Sequence, residues 1–269
     1  MIPENGDNLV RPPAVSGFFY PADKDELSEI ITAYMQDTAP METPPKAIIA
    51  PHAGYIYSGS VAASAYATLA KNYGLINRVI LLGPAHRVYF RGLAYSSAKY
   101  FSTPLGKILI DQTAIESIAN LPQVILSDEA HAREHSLEVH LPFLQSLLKD
   151  FTLVPLVVGD TRPDEVAEVL NILWGNEETL IVISSDLSHY HDYETARKLD
   201  KQTSELIESL DFSAINSKRA CGCMPIRGLL KIAREKSMRM ETVELKNSGD
   251  TAGPHDRVVG YGAYALTRG

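Results

Sequence analysis

Cysteine is nearly absent from this sequence of 269 residues, which contains only Cys221 and Cys223. A disulfide between positions two apart would be badly strained, so the chain lacks the cross-linked framework of a small extracellular protein. Both cysteines are expected to be free thiols in a reducing compartment. We therefore expect a cytoplasmic protein.

Long apolar runs and an excess of basic charge are also missing. No run approaches the roughly 18 apolar residues of a transmembrane helix, and the first residues lack the basic and then hydrophobic segments of a signal peptide. Neither secretion nor membrane insertion is expected. Acidic residues outnumber basic ones by 33 to 25, for a formal charge of −8. Because nucleic-acid-binding proteins concentrate Lys and Arg, we expect no nucleic-acid partner.

The common motifs for nucleotide binding and for serine nucleophiles do not occur either. Neither type of phosphate-binding glycine loop is present, and the Gly-Tyr-Gly around Tyr261 lacks the required spacing. No nucleotide cofactor is expected. No Gly-x-Ser-x-Gly sequence precedes a predicted helix, which argues against acyl transfer through a serine.

What the sequence does contain is an alternation of apolar strands and amphipathic helices. Helices are predicted near residues 23–36, 61–70, 134–148, 163–174, 193–210 and 221–236; strands near 46–52, 78–86, 151–160, 179–186, 240–250 and 258–269; and a proline-rich loop at 38–45. Continuously apolar strands separated by helices favour parallel pairing with right-handed crossovers. An α/β chain of this length, with 45% hydrophobic residues, commonly forms one domain. We predict that residues 1–269 form a single-domain α/β/α fold with a mainly parallel sheet.

Polar residues directly follow three of the predicted buried strands. The run IIAPH ends in His52 and LLGPAH ends in His86. The run TLIVISSD leads to Asp186 and His189. Open parallel sheets bind ligands beyond the carboxyl ends of their strands, so these side chains are expected at one edge of the sheet. A single histidine at a strand end is usually a hydrogen-bonded loop residue, whereas several gathered at one edge indicate a functional site.

A cysteine at the start of a predicted helix is a further candidate. Cys221 lies in RACGCMPIRG, where helix N-terminal amides would stabilise a thiolate that ligates a metal or acts as a nucleophile. The alternative is that a buried cysteine only fills space, and Cys-x-Cys is less diagnostic than paired Cys-x-x-Cys motifs. Two imidazoles and one thiolate would leave open positions on zinc, iron or copper, as in a catalytic site.

The segment HAREHSLEVHLPF is rich in histidine. As a helix, it would place His131, His135 and Glu138 on one face. His140 lies two residues beyond Glu138, and this order differs from the His-Glu-x-x-His of zinc proteases. The structural alternative is that Glu138 pairs with one histidine and holds the helix against the sheet edge. We predict that His135, Glu138 and His140 support the pocket and that His131 lies on the surface.

Several ordered motifs resemble the Memo family. They are IIAPHAGYIYSG, LLGPAHRV, EHSLEVHLPF, SSDLSHY, CGCMPI, and NSGDTAG with VVGYGAYAL, and VSGFFYPAD resembles the start of the family. The match runs through nearly the whole chain. It implies a fold similar to class III extradiol dioxygenases, which are non-heme iron enzymes. Bacterial and archaeal members are often called AmmeMemoRadiSam system protein B, which implies radical S-adenosylmethionine and AMMECR-type protein partners.

The resemblance also implies roles for individual residues. His52 and His86 match two histidine ligands, and Cys221 stands where the family has its cysteine ligand and the dioxygenases have a glutamate. Asp186 and His189 match pocket positions, and His189 corresponds to the acid/base histidine of the dioxygenases. Because a soft thiolate replaces a hard carboxylate, copper or zinc is favoured over labile Fe(II) at such a site.

Three hypotheses for the function follow. The first is a metal-dependent redox enzyme acting on an unknown small molecule, with iron or copper favoured and zinc possible, in which His189 moves protons and Asp186 orients a neighbour or the substrate. The second is a non-catalytic scaffold that keeps the pocket for metal handling or peptide binding. The third is a zinc hydrolase that uses a metal-bound hydroxide.

Overall fold

A large, mostly parallel sheet forms the centre of the structure. The computed structural model describes residues 9–36, 41, 44–70 and 73–269. In this part of the chain the strands are β1 (Val10–Arg11), β2 (Ala47–Ala50), β3 (Arg78–Pro84), β4 (Leu93–Tyr95), β5 (Tyr100–Thr103), β6 (Gly106–Ile110), β7 (Val124–Leu126), β8 (Thr152–Val158), β9 (Thr179–Ser184), β10 (His189–His191), β11 (Met238–Asn247) and β12 (Val258–Arg268). They pair in the order β1-β5-β6-β8-β3-β9-β2-β12-β10, with β11 on β12, β4 on β8 and β7 on β4.

The helices alternate with these strands along the described chain. They are α1 (Lys24–Gln36), α2 (Tyr55–Ala67), α3 (Gln112–Ile118), α4 (Asp128–Ala132), α5 (Leu141–Leu147), α6 (Pro163–Leu173), α7 (Tyr193–Glu208), α8 (Cys223–Glu235) and α9 (Ser248–Thr251), with a 3-10 helix at Glu138–His140. None of them combines the length and apolarity that crossing a membrane requires, within the described residues.

The five central strands, β6, β8, β3, β9 and β2, run parallel to one another. The side chains of β8, β3, β9 and β2 are almost all buried, as expected for strands covered on both faces. Beyond β2 the sheet continues with the antiparallel strand β12. The predicted α/β fold with a mainly parallel sheet is confirmed.

Helix α8 shows how the core supports the strand ends. Its apolar residues recur at helical spacing, and Ile226, Leu229, Leu230 and Ala233 are fully buried. The helix packs against β3, β9 and helix α6. Each buried Leu or Ile contributes roughly 1.5–3 kcal/mol to this packing. The start of α8 is thereby fixed beside the central strands.

The predicted helix over residues 134–148 was correct only for its second part. Residues 134–137 form a loop, which is followed by the 3-10 helix at Glu138–His140 and by α5. The backbone N–H groups of His135 and Ser136 donate to the side chain of Glu134 rather than to helical carbonyls. Pro142 has no N–H to donate and lies in the first turn of α5, where that loss costs nothing.

Other boundaries also differ from the prediction. Helix α2 begins at Tyr55 rather than near Val61, and Gly59 lies within it. A Cβ at position 59 would approach Tyr34 Cε2 to 2.5 Å, so the close packing of Tyr34 requires glycine there. Strands β4 to β7 and helix α3 were not predicted. Most of the predicted loop at residues 38–45 lies outside the described residues.

Candidate metal centre

The carboxyl ends of three neighbouring parallel strands meet at one edge of the sheet. Strand β9 lies between β3 and β2, with Leu82 paired to Ile183 and Ala50 paired to Ser184. Two residues after Ala50 the chain reaches His52, and two residues after the end of β3 it reaches His86. Parallel pairing therefore brings together side chains that are far apart in sequence.

Three histidines converge at this edge and form the imidazole cluster, defined as His52, His86 and His135. One ring nitrogen from each lies within 4.8 Å of the other two, so the cluster could hold a metal ion. Ring centroids are 5.1 Å apart for His52 and His86, 5.5 Å for His52 and His135, and 4.7 Å for His86 and His135. Neutral imidazole nitrogen is a common ligand of transition metals.

The environment keeps two of these imidazoles, those of His52 and His135, unprotonated. Burial, followed by the proximity of His86 and His135, lowers the pKa of His52 well below its usual value. Burial is also the largest influence on His135, whose pKa falls to about 4 although the charge of Glu134 opposes the shift. At neutral pH both rings are therefore neutral and retain a lone pair for a cation.

Asp186 and Ser184 hold His52 in place. Its backbone N–H donates to Asp186 Oδ1 at 2.8 Å, and its Nδ1 lies 2.6 Å from Ser184 Oγ. The second carboxylate oxygen of Asp186 lies 4.0 Å from His52 Nε2. Burial raises the pKa of Asp186, although its hydrogen bond from His52 opposes this. Asp186 thus fixes the main chain of one member of the imidazole cluster.

Glu134 organises the other two members. Its carboxylate is buried and accepts the backbone N–H of His86 at 2.6 Å and those of His135 and Ser136 at 3.0 and 2.9 Å. The Nδ1 of His86 lies 3.0 Å from Glu134 Oε1, so Nδ1–H donates and Nε2 keeps its lone pair. Burial alone would raise the pKa of Glu134, but the hydrogen bond and charge of His86 lower it to about 2.

Cys221 lies next to the imidazole cluster. Its Sγ is 3.4 Å from His52 Nε2 and accepts the backbone N–H of Asp186 at 3.3 Å. It is not part of the mutually close set formed by the three imidazoles. Gly222 permits this approach, because a Cβ there would lie 2.6 Å from the Ser184 carbonyl oxygen. Burial, followed by the negative charge of Asp186, raises the pKa of Cys221, so the sulfur is a neutral thiol when no cation is bound.

His189 is held by its own segment of the chain rather than by the imidazole cluster. Its Nδ1–H donates to the carbonyl of Leu187 at 2.9 Å, which leaves Nε2 as the basic nitrogen. Within the described residues, no hydrogen bond or ring contact joins it to the three imidazoles. Its charge nevertheless influences the pKa values of His52 and Asp186. His189 therefore belongs to the electrostatic surroundings of the centre.

The structural alternative, in which Glu138 pairs with a histidine, was wrong. Glu138 is buried and forms an ion pair with Arg11. It also accepts the Tyr20 hydroxyl at 2.7 Å and the backbone N–H groups of Ala14 and Val15. The helix is not continuous here, so the Glu138 carboxylate contacts the segment of residues 11–20. In its place, Glu134 is the carboxylate of this stretch that contacts His86 and His135.

The two remaining histidines of this segment are both buried. His131 was predicted at the surface, and this was wrong: its Nε2–H donates to the Ala94 carbonyl at 2.9 Å. His140 contacts the Tyr66 hydroxyl and Ser184 Oγ, each at 2.9 Å. Ser184 therefore bridges His140 and His52.

A cleft of about 400 Å³ opens beside the centre. It is lined by Pro84, Ala85, His86, Arg87, Val88, Tyr89, Phe90, Val158, Gly159, Asp160, Cys221, Met224 and Pro225. Its size matches small-molecule sites, and its lining combines apolar and aromatic residues with a few polar groups. The His86 side chain, 28% exposed, connects the cleft to the more deeply buried His52.

The fold and the centre together define an α/β protein with a histidine-rich edge on a parallel sheet that could hold a metal ion. A family model described as "Memo-like protein" matches residues 11–265, and the chain belongs to the Memo family. It is 36% identical to a MEMO1 family protein of Aquifex aeolicus, over 94% of this chain and 97% of that protein. A MEMO1 family protein of Thermoplasma acidophilum is 33% identical, over 94% and 97%.

A solved structure supports the same fold. An uncharacterized protein from Escherichia coli K12 superimposes with a TM-score of 0.53 at 14% identity, covering 81% of this chain and 98% of that chain. At this identity the likeness concerns the fold alone.

Proposed function

We propose that the protein is a metal-dependent redox enzyme in which His52, His86 and Cys221 hold a transition metal ion, with iron or copper favoured over zinc. The observation that carries the proposal is the convergence of the imidazole cluster beside a sulfur that lies 3.4 Å from His52 Nε2. His135 is close enough to act as an additional nitrogen donor. Family membership supports the proposal, since the resemblance to the family implies that His52, His86 and Cys221 are metal ligands.

The residues fit such an ion in their chemistry. The Nδ1 nitrogens of His52 and His86 are occupied by Ser184 and Glu134, so each ring offers Nε2 to a cation. A nitrogen and sulfur donor set suits copper, zinc and iron better than magnesium or calcium. A cation would also lower the thiol pKa that burial raises, so binding at Cys221 is expected to release a proton.

The surrounding residues then take complementary roles. A bound iron or copper ion would supply Lewis acidity and one-electron chemistry. Asp186 orients His52 through its backbone, and His189 accepts or donates a proton at Nε2 while Nδ1 stays tied to the Leu187 carbonyl. The adjacent cleft would admit a small molecule, and a reducing cytoplasm would keep Cys221 as a thiol.

The first test is the metal content of natively expressed protein purified without added metal. We expect Cys221→Ser to lower metal occupancy sharply while the chain remains folded. Cys223→Ser is the matched control, because that buried thiol lies two residues away in the first turn of α8. Equal occupancy in the two variants would contradict the role of Cys221.

The second test separates an enzyme from its alternatives. Protein loaded anaerobically with iron or copper is mixed with oxygen and with catechols, thiols or other reductants, and oxygen uptake is recorded. Uptake that depends on His189 supports the redox enzyme. Metal binding through Cys221 without uptake would instead favour a metal-handling or peptide-binding scaffold, and hydrolysis with zinc under nitrogen would favour a hydrolase.

A further inference from the structure

A chain of buried polar groups runs from the sheet edge into the core behind His52. Ser184 Oγ lies 2.6 Å from His52 Nδ1 and 2.9 Å from His140 Nε2. The other ring nitrogen of His140, Nδ1, is 2.9 Å from the Tyr66 hydroxyl. Ser184, His140 and Tyr66 are fully buried, so their hydrogen-bonding groups depend on one another.

The direction of each hydrogen bond follows from one fixed acceptor. Ser184 Oγ lies 2.5 Å from the carbonyl oxygen of Ser136, which can only accept. The single hydroxyl proton of Ser184 is therefore donated there, and its oxygen accepts from both imidazoles. His52 must carry its proton on Nδ1 and His140 on Nε2. His140 Nδ1 then accepts the proton of the Tyr66 hydroxyl.

The ionisation of His140 agrees with this order. Burial lowers its pKa to about 3, so the ring is neutral at physiological pH, with one N–H and one lone pair. Each donor in the chain then meets one acceptor. No other assignment of these protons leaves the Ser136 carbonyl and both histidines satisfied.

We propose that Ser184, His140 and Tyr66 are positioning residues that hold His52 in the tautomer whose Nε2 lone pair faces the metal position, and that they thereby raise metal affinity. This inference rests on the proposed function, because it assumes that His52 binds a metal. The other tautomer would place a proton on Nε2, the nitrogen 3.4 Å from Cys221 Sγ, where it would block coordination. Glu134 performs the equivalent task for His86 through a carboxylate.

The test uses the affinity of metal-free protein for Zn²⁺, measured by competition with a chromophoric chelator. Removing the hydrogen-bond partner of a metal-ligating histidine typically weakens metal binding about 10- to 100-fold. We expect a decrease in Zn²⁺ affinity of this size for Ser184→Ala. Tyr66→Phe removes only the far end of the chain and should weaken binding less. The control is Ser204→Ala, a buried serine whose hydroxyl contacts Tyr264 and no histidine; its affinity should equal that of the unaltered protein.

The tautomer is measured separately by nitrogen-15 NMR of histidine in the unaltered, metal-free protein. The His52 signal is identified by its absence in His52→Gln, and we expect a proton on Nδ1. A proton on Nε2 would overturn the inference. Unchanged Zn²⁺ affinity of a Ser184→Ala protein that is folded by circular dichroism would also overturn it. Failure of the unaltered protein to bind Zn²⁺ at all would instead contradict the proposed function.

Discussion

Glu134→Gln should destabilise the protein measurably, because one buried carboxylate organises two members of the imidazole cluster. The charged group accepts three backbone N–H groups and the Nδ1–H of His86. A glutamine has the same shape, but it turns one of the two acceptor oxygens into an amide donor. At least one of these buried N–H groups would then face another donor.

The magnitude follows from the ionisation of Glu134. Its pKa is lowered from 4.5 to about 2, which corresponds to roughly 3 kcal/mol of stability at neutral pH. Because the pKa is lower in the folded state, this contribution is fully present above pH 4.5. It is lost as the pH falls from 4.5 through about 2, where both states become protonated.

Urea unfolding of metal-free protein is a suitable assay. At pH 7 the free energy of unfolding of Glu134→Gln should be lower by roughly 3 kcal/mol, and the difference should shrink as the pH falls below 4.5. Glu177→Gln is the control, since that glutamate is exposed and pairs with Arg268 at the surface, and its substitution should change stability by less than about 1 kcal/mol. Equal stability of Glu134→Gln and the unaltered protein at pH 7 would show that the Glu134 carboxylate does not stabilise the folded protein.

Two further substitutions test the packing around the site. Glu138→Gln leaves the buried Arg11 guanidinium without its charged partner and should cost about 3–5 kcal/mol in urea unfolding; a loss below about 1 kcal/mol would show that the pair is dispensable. Gly260→Ala places a methyl group against the buried carboxylate of Asp200 and should cost about 1–3 kcal/mol, so an unchanged thermal midpoint would contradict the close approach.

The strand ends could be predicted because parallel sheets obey a strong topological rule. The apolar runs before His52, His86 and Asp186 mark strands whose carboxyl ends share one edge, and the pairing of β3, β9 and β2 brings them together. The continuous apolar runs were sufficient for this step. The amphipathic pattern likewise predicted α1, α6, α7 and α8 within a few residues.

The supporting groups could not be found from local patterns. Glu134 acts on His86 across 48 positions, and Ser184 acts on His140 across 44. Their roles depend on hydrogen bonds that exist only after the sheet has formed. The helix predicted to begin at residue 134 does not form there, because side-chain acceptors compete with the helical carbonyls for the backbone N–H groups. Ser184 is a polar residue at the last position of the apolar strand β9, and this position was the only feature of the sequence that could have indicated its role.

The most direct test of the account is a titration of metal-free protein with Co²⁺, followed by absorption spectroscopy. We predict one ion per chain, with intense visible bands and a sulfur-to-cobalt charge-transfer band in the near ultraviolet. Cys221→Ser should lose the charge-transfer band, and Cys223→Ser should keep it. Absence of saturable binding, or the same charge-transfer band in Cys221→Ser as in the unaltered protein, would contradict a centre built from the imidazole cluster and Cys221.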